Sequence, residues 1–127
     1  MNSKLRALII EDDQKLATIF AAAVEAAEFE SEIIKDGRKA LDRLKVAVPN
    51  IVVLDLHLPH VSGSDILQTI RSDKRFADTR VILATADPSK AETLRNEADL
   101  ILIKPISFAQ LRDLAARLRP PDTFSSS

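Results

Sequence analysis

The chain has 127 residues, which suits one domain with its own core, and its 18 basic and 19 acidic residues give a formal net charge of −1. This balance argues against direct contact with nucleic acid, which usually requires a strong basic excess. The absence of cysteine excludes a disulfide framework, thiolate catalysis and a cysteine-ligated zinc site. The sequence has no signal-peptide pattern and no run near the roughly 18 apolar residues of a membrane span, so we expect a cytoplasmic protein.

Five short apolar runs predict β-strands. Four of them are nearly continuous, which is typical of strands buried on both faces of a sheet. The second alternates apolar and polar residues, as an edge strand does. In chain order, the predicted strands are 5–10 (LRALII), 29–34 (FESEII), 51–56 (IVVLDL), 80–85 (RVILAT) and 100–103 (LILI).

Amphipathic segments between these runs predict helices. The apolar residues recur at positions i, i+3, i+4 and i+7, the spacing of one helix face. The segments are Leu16 to Ala27, Ala40 to Leu44, Ile66 to Ile70, residues 88–97 and Phe108 to Leu118. Strict alternation of strand and helix predicts an α/β fold, (βα)5, in which a doubly wound parallel five-stranded sheet carries helices on both faces.

The helix starts and the chain end carry further signals. Ser62 or Ser64 is expected to cap the third helix, Pro88 to open the fourth and Ser107 to cap the fifth. We expect residues 1–119 to form the domain. Residues 120–127 hold two prolines and three serines, which predicts a flexible tail or linker.

Chemically active side chains lie where the predicted strands end. These are Glu11, Asp12 and Asp13 after the first strand, Asp55 in the third, Thr85 in the fourth and Lys104 after the fifth. Ligands of open α/β sheets bind at this edge. Crowded carboxylates repel one another, and a hard cation such as Mg2+, together with the lysine, would offset that repulsion. A carboxylate held in this way can attack a phosphoryl group.

Four sequence pieces, in order, carry a resemblance to the response-regulator receiver domains of bacterial two-component signalling. The pieces are Glu-Asp-Asp after the first strand, Asp55-Leu-His-Leu-Pro59-x-x-x-Gly63, Thr85-Ala86 and Lys104-Pro105. The resemblance covers the chain from about Leu5 to Leu118. It implies a flavodoxin-like fold with strand order 2-1-3-4-5.

The resemblance also implies a phosphoacceptor and a metal site. Asp55 would accept a phosphoryl group from a histidine kinase or a phosphotransfer protein. Mg2+ (or Mn2+) would be held by Asp13, Asp55 and the backbone carbonyl of His57, with Asp12 near the metal. A domain of this kind is a signalling switch, with at most weak autophosphorylation and autodephosphorylation activity, and is not a metabolic enzyme.

Two further residues have implied roles in the switch. Lys104 would pair with the phosphoryl group, across a cis Lys104–Pro105 peptide bond, and Thr85 would turn toward it. The face formed by helix 4, strand 5 and helix 5 would then bind a downstream protein or a second copy of the domain, with no membrane contact. The family usually has an aromatic residue where this chain has Ile101.

Several alternatives remain open on the sequence alone. The acids after the first strand also suit a solvated helix start, and Asp55 with Lys104 suits a structural ion pair. Leu100 and Ile101 either make the partner face apolar or belong to the core. Because of these two residues, a phosphorylation-independent interaction module remains an alternative. A phosphatase of the haloacid-dehalogenase type would usually carry a second aspartate at the position of His57.

Overall fold

Five parallel strands form one sheet in the computed structural model, which describes residues 4–121. The strands are β1 (Leu5–Ile10), β2 (Phe29–Ile34), β3 (Ile51–Asp55), β4 (Arg80–Thr85) and β5 (Leu100–Ile103). Their spatial order is β2-β1-β3-β4-β5, and every neighbouring pair is parallel. The predicted sheet and strand order are therefore confirmed, with β3 ending one residue earlier than expected.

Five α-helices follow the strands, as predicted. They are α1 (Gln14–Ala26), α2 (Gly37–Leu44), α3 (Gly63–Arg71), α4 (Pro88–Thr93) and α5 (Phe108–Arg117). The Oγ atoms of Ser62 and Ser107 accept hydrogen bonds from the first turns of α3 and α5, so both predicted caps are confirmed. The predicted fourth helix was too long, because Leu94 leaves helical geometry and a separate 3-10 helix follows at Arg95–Glu97.

Two apolar clusters cover the two faces of the sheet. Alternate residues of β1 belong to opposite clusters. Ile9 packs in the same cluster as Phe20 of α1 on one face, and Ile10 packs in the same cluster as Leu67 of α3 on the other. Burial of each such side chain stabilises the fold by about 1.5–3 kcal/mol. Among residues 4–121, no helix has the length and apolar character needed to cross a bilayer. Residues 122–127 of the predicted tail lie outside the described residues.

The two apolar residues that open β5 contribute to the core. Leu100 packs against the cluster under α1 and α5, and Ile101 packs against the opposite cluster. Both side chains are half-buried. This favours the second of the two alternatives, in which they are core residues. The apolar exposure near this edge comes instead from Ile103 and Phe108, which are 42% and 39% exposed.

Gly63 permits α3 to begin directly against the end of β3. A β-carbon at this position would lie 2.4 Å from the carbonyl oxygen of Asp55 and 2.6 Å from the Cα of Leu56. We expect Gly63→Ala to lower the free energy of unfolding by about 1–3 kcal/mol, because the backbone of β3 would have to shift. Urea unfolding measures the change, with Ser64→Ala in the same turn as the matched control. Equal stability of the two variants would contradict the expectation.

Candidate metal and phosphoacceptor site

The register of the sheet brings the predicted site residues to one edge. The last residue of β1 pairs with the residue before Asp55, so Glu11 and Asp55 emerge side by side. On the other side, Thr85 pairs with the residue before Lys104. Because all strands run parallel, their carboxyl ends meet here, and strands distant in the sequence supply a single pocket.

Three carboxylates converge at this edge. One oxygen from each of Glu11, Asp12 and Asp55 lies within 4.8 Å of the others. Glu11 and Asp55 are 1% and 3% exposed, whereas Asp12 is open to solvent. Oxygen donors spaced in this way, with one side open, suit a hard divalent cation such as Mg2+.

Asp13 does not join this group, although the sequence analysis named it as a metal ligand. Its Oδ1 accepts a hydrogen bond of 3.0 Å from the backbone N–H of Leu16 and caps α1. Glu11 takes the place in the pocket because its own N–H still bonds Ile34, which continues the strand pairing. The structure therefore brings Glu11 and Asp12, rather than Asp12 and Asp13, beside Asp55. An aspartate just before a helical pattern is an N-cap signal, which could have revealed this.

Lys104 binds the two buried acids. Its Nζ lies 2.9 Å from Oε1 of Glu11 and 3.5 Å from Oδ1 of Asp55. The Lys104–Pro105 peptide bond is cis, as the resemblance implied. The ammonium contacts two of the three clustered carboxylates, so the pocket keeps an excess of negative charge that a divalent cation would neutralise.

Burial and charge shift the pKa values of this pair. Burial raises the pKa of Glu11 above its usual value, the Asp55 charge adds to this, and the hydrogen bonds from Lys104 and the Asp13 N–H oppose it. Burial by itself lowers the pKa of Lys104, but its hydrogen bond to Glu11 and the charges of Asp55 and Glu11 raise it overall. Lys104 therefore stays charged in the pocket at neutral pH.

Thr85 and His57 complete the edge. The Thr85 side chain is fully buried, and its Oγ1 accepts a hydrogen bond of 3.0 Å from the N–H of Asp87, the N-cap of α4. Because a hydroxyl both donates and accepts, its proton remains available to the pocket. The N–H of His57 donates to Oδ1 of Asp55 at 3.0 Å, and the His57 side chain is exposed.

Comparisons with known proteins agree with this fold. The family model described as the response regulator receiver domain matches residues 7–116. A curated relative, the probable methanogenesis regulatory protein FilR2 of Methanothrix harundinacea, is 33% identical over 83% of this chain and 75% of its own. The solved structure of response regulator protein TrrA from Thermotoga maritima, in complex with Mg2+ and BeF, superposes with a TM-score of 0.80 at 24% identity, covering 91% of this chain and 99% of that one.

The chain belongs to the response regulator receiver domain family. Receiver domains are signalling modules of two-component systems that bind Mg2+ at an acidic pocket. Some relatives are longer: the chain is 29% identical to the DNA-binding response regulator MtrA of Mycolicibacterium paratuberculosis, over 90% of this chain but only 49% of MtrA.

The pairing of Lys104 with Glu11 gives a stability prediction. We expect Lys104→Met to lower the free energy of unfolding by about 3 kcal/mol at neutral pH, because it leaves a buried carboxylate without its partner. The loss should shrink below pH 4.5, the usual pKa of Glu11, because Glu11 is then neutral in both states. The folded protein holds the Glu11 proton more tightly than the unfolded chain, so stability falls as pH rises through the raised pKa.

Urea unfolding at neutral and acidic pH measures this difference. Lys15→Met, which changes an exposed lysine of α1, is the matched control and should be nearly neutral at both values. A loss in Lys104→Met that does not depend on pH would count against the role of Glu11.

Proposed function

We propose that Asp55 accepts a phosphoryl group from the phosphohistidine of a histidine kinase or a phosphotransfer protein, with Mg2+ (or Mn2+) bound beside it. The observation that carries this proposal is the contact of Lys104 with both Glu11 and Asp55 beside an open group of acids. A structural ion pair alone would need one acid, and this lysine faces an excess of them. The excess negative charge suits a site that binds a cation, and the lysine beside Asp55 suits one that also receives a phosphoryl group.

The donor set for the metal is Glu11, Asp12 and Asp55, with the backbone carbonyl of His57. These are all oxygen atoms, which Mg2+ prefers. When bound, the metal would supply positive charge that offsets the charge on the phosphoryl oxygens. Asp13 is left out of the set because its carboxylate caps α1.

The residues of the pocket have distinct roles in the transfer. An oxygen of Asp55 forms the new bond to phosphorus as the bond from phosphorus to the kinase histidine nitrogen breaks. The N–H of His57 fixes the Asp55 carboxylate at 3.0 Å. Lys104 pairs with the incoming phosphoryl oxygens, and the Thr85 hydroxyl turns to donate to one of them. Burial of Asp55 keeps the acyl phosphate partly shielded from water.

We assign the output to the face of α4, β5 and α5, which binds a downstream protein or a second copy of the domain in the cytoplasm. Ile103 and Phe108 supply exposed apolar surface there. Asp99, just before β5, is already bound within the domain, because Arg71 and Arg80 hold its carboxylate at 2.9 Å and 3.1 Å. The balanced charge of the chain gives no support for direct nucleic-acid contact.

Intact-mass measurement after incubation with acetyl phosphate and Mg2+ tests the acceptor. We expect wild type to gain the mass of one phosphoryl group and Asp55→Asn to gain none, because the amide is a poor nucleophile. Asp65→Asn, at an exposed aspartate of α3, is the matched control and should be labelled like wild type. No adduct on wild type, together with no Mg2+ binding, would favour a phosphorylation-independent interaction module. Steady turnover of a phosphoester would favour a phosphatase.

His57 and Asp87 are placed to influence the lifetime of the phosphoryl group. The two residues follow Asp55 and Thr85 by two positions, so they lie just beyond the carboxyl ends of the neighbouring strands β3 and β4. We expect the double variant His57→Ala, Asp87→Ser to shorten the phosphoryl half-life about tenfold, since water reaches phosphorus more easily. Serine keeps an N-cap for α4.

The decay of the phosphorylated mass after removal of acetyl phosphate measures this half-life. Ser64→Ala, in the first turn of α3, is the control and should leave it unchanged. An unaltered half-life in the double variant would show that these side chains do not control the approach of water.

A further inference from the structure

The loop between β3 and α3, residues 56–62, packs on the core through three apolar side chains, and its other residues lie at the surface. The apolar residues are Leu56, Leu58 and Val61. The loop begins directly after Asp55 and carries the backbone of His57. The side chains of His57, Pro59 and His60 are all exposed. Within the described chain, two side-chain hydrogen bonds tie residues 57–61 to other elements: the one from the His57 N–H to Asp55 of β3, and one in which Nδ1 of His60 lies 2.9 Å from Oδ2 of Asp36.

His60 occupies a backbone conformation that disfavours it. Its φ is 71°, in the left-handed region, where a side chain with a β-carbon is strained and glycine is the preferred residue. A residue held in such a conformation is a reason to look for a function of its side chain. The side chain of His60 makes a hydrogen bond with Asp36. The pair is a surface one, with the histidine 62% exposed, so its contribution to stability is small.

Asp36 is itself fixed at the start of α2. Its Oδ1 accepts hydrogen bonds from the N–H groups of Arg38 and Lys39, at 2.7 Å and 3.2 Å. The bond from Lys39, then those from Arg38 and His60, lower the pKa of Asp36, so the carboxylate is ionised and only accepts. The Nδ1 of His60 is therefore the donor. The other carboxylate oxygen of Asp36, Oδ2, is thus the anchor for the loop.

A second contact joins the same two segments. A β-carbon on Gly37 would lie 2.6 Å from the carbonyl oxygen of Val61, so the start of α2 and the loop pack without room for a side chain. Two neighbouring positions of each segment therefore touch: Asp36 with His60, and Gly37 with Val61. We name these two contacts the α2 clasp.

We propose that the α2 clasp positions the β3–α3 loop for the metal site, with His60 and Asp36 as positioning residues. The inference rests on the proposed function, in which the carbonyl of His57 is a metal ligand. The clasp fixes residues 60 and 61, so its loss would leave the exposed backbone around His57 held only by its bond to Asp55 and by the packing of Leu58. The left-handed backbone of His60 costs free energy. That cost is balanced by the fixed position of the His57 carbonyl, three residues earlier.

Two variants break the tether and keep a cap at the start of α2. His60→Gly removes the imidazole and also relieves the left-handed strain, so its thermal stability should equal or exceed that of wild type. Asp36→Ser keeps an N-cap for α2, but one hydroxyl cannot both cap the helix and reach His60. We expect each to weaken Mg2+ binding about tenfold, at the low end for residues that support metal ligands. The double variant should be no weaker than either single one, because both remove the same contact.

Calorimetric titration with Mg2+, together with thermal unfolding, tests the clasp on the whole chain. Asp73→Ser, which changes a capping aspartate at the opposite edge of the sheet, is the matched control and should bind Mg2+ like wild type. Weaker binding by His60→Gly without loss of stability supports the clasp, since a purely structural role predicts both losses together. Wild-type affinity in both variants overturns it. Absence of Mg2+ binding and of phosphorylation in wild type would instead overturn the proposed function.

Discussion

The structure depends on two carboxylates buried side by side at the end of a parallel sheet. Glu11 could not stay there as an ion without compensation, since burial and the nearby charge of Asp55 both disfavour its charged form. Lys104 provides that compensation, and it comes from the far side of the sheet. The strand order β2-β1-β3-β4-β5 and its register therefore determine how close the charged groups of the pocket lie. A shift of one residue between strands would separate them.

The fold could be predicted almost completely from the sequence, because its main signals are local. Apolar runs mark the strands, and caps such as Ser62 and Ser107 mark the helix starts. The end of α4 could not be predicted in this way. The pattern continues to residue 97, but Leu94 packs on the core below in a non-helical conformation, and tertiary contact decides where the helix stops.

The site was predicted in composition but not in full detail. Asp55, Thr85 and Lys104 lie where strand ends suggested, and their chemical roles remain proposals. Three successive acids could not be sorted by residue type, since any of them suits a metal. Strand pairing places Glu11 in the pocket, and helix capping removes Asp13 from it. The contact between His60 and Asp36 joins residues 24 apart, and the sequence around neither residue predicts it.

The buried hydroxyl of Thr85 has a consequence for the helix that follows it. It accepts the N–H of Asp87, and Asp87 caps a helix of only six residues. So short a helix has little stability of its own and depends on its first turn. The oxygen of Thr85 is therefore part of the start of α4, and a change in the Thr85 rotamer would take an acceptor away from the amide that opens that helix.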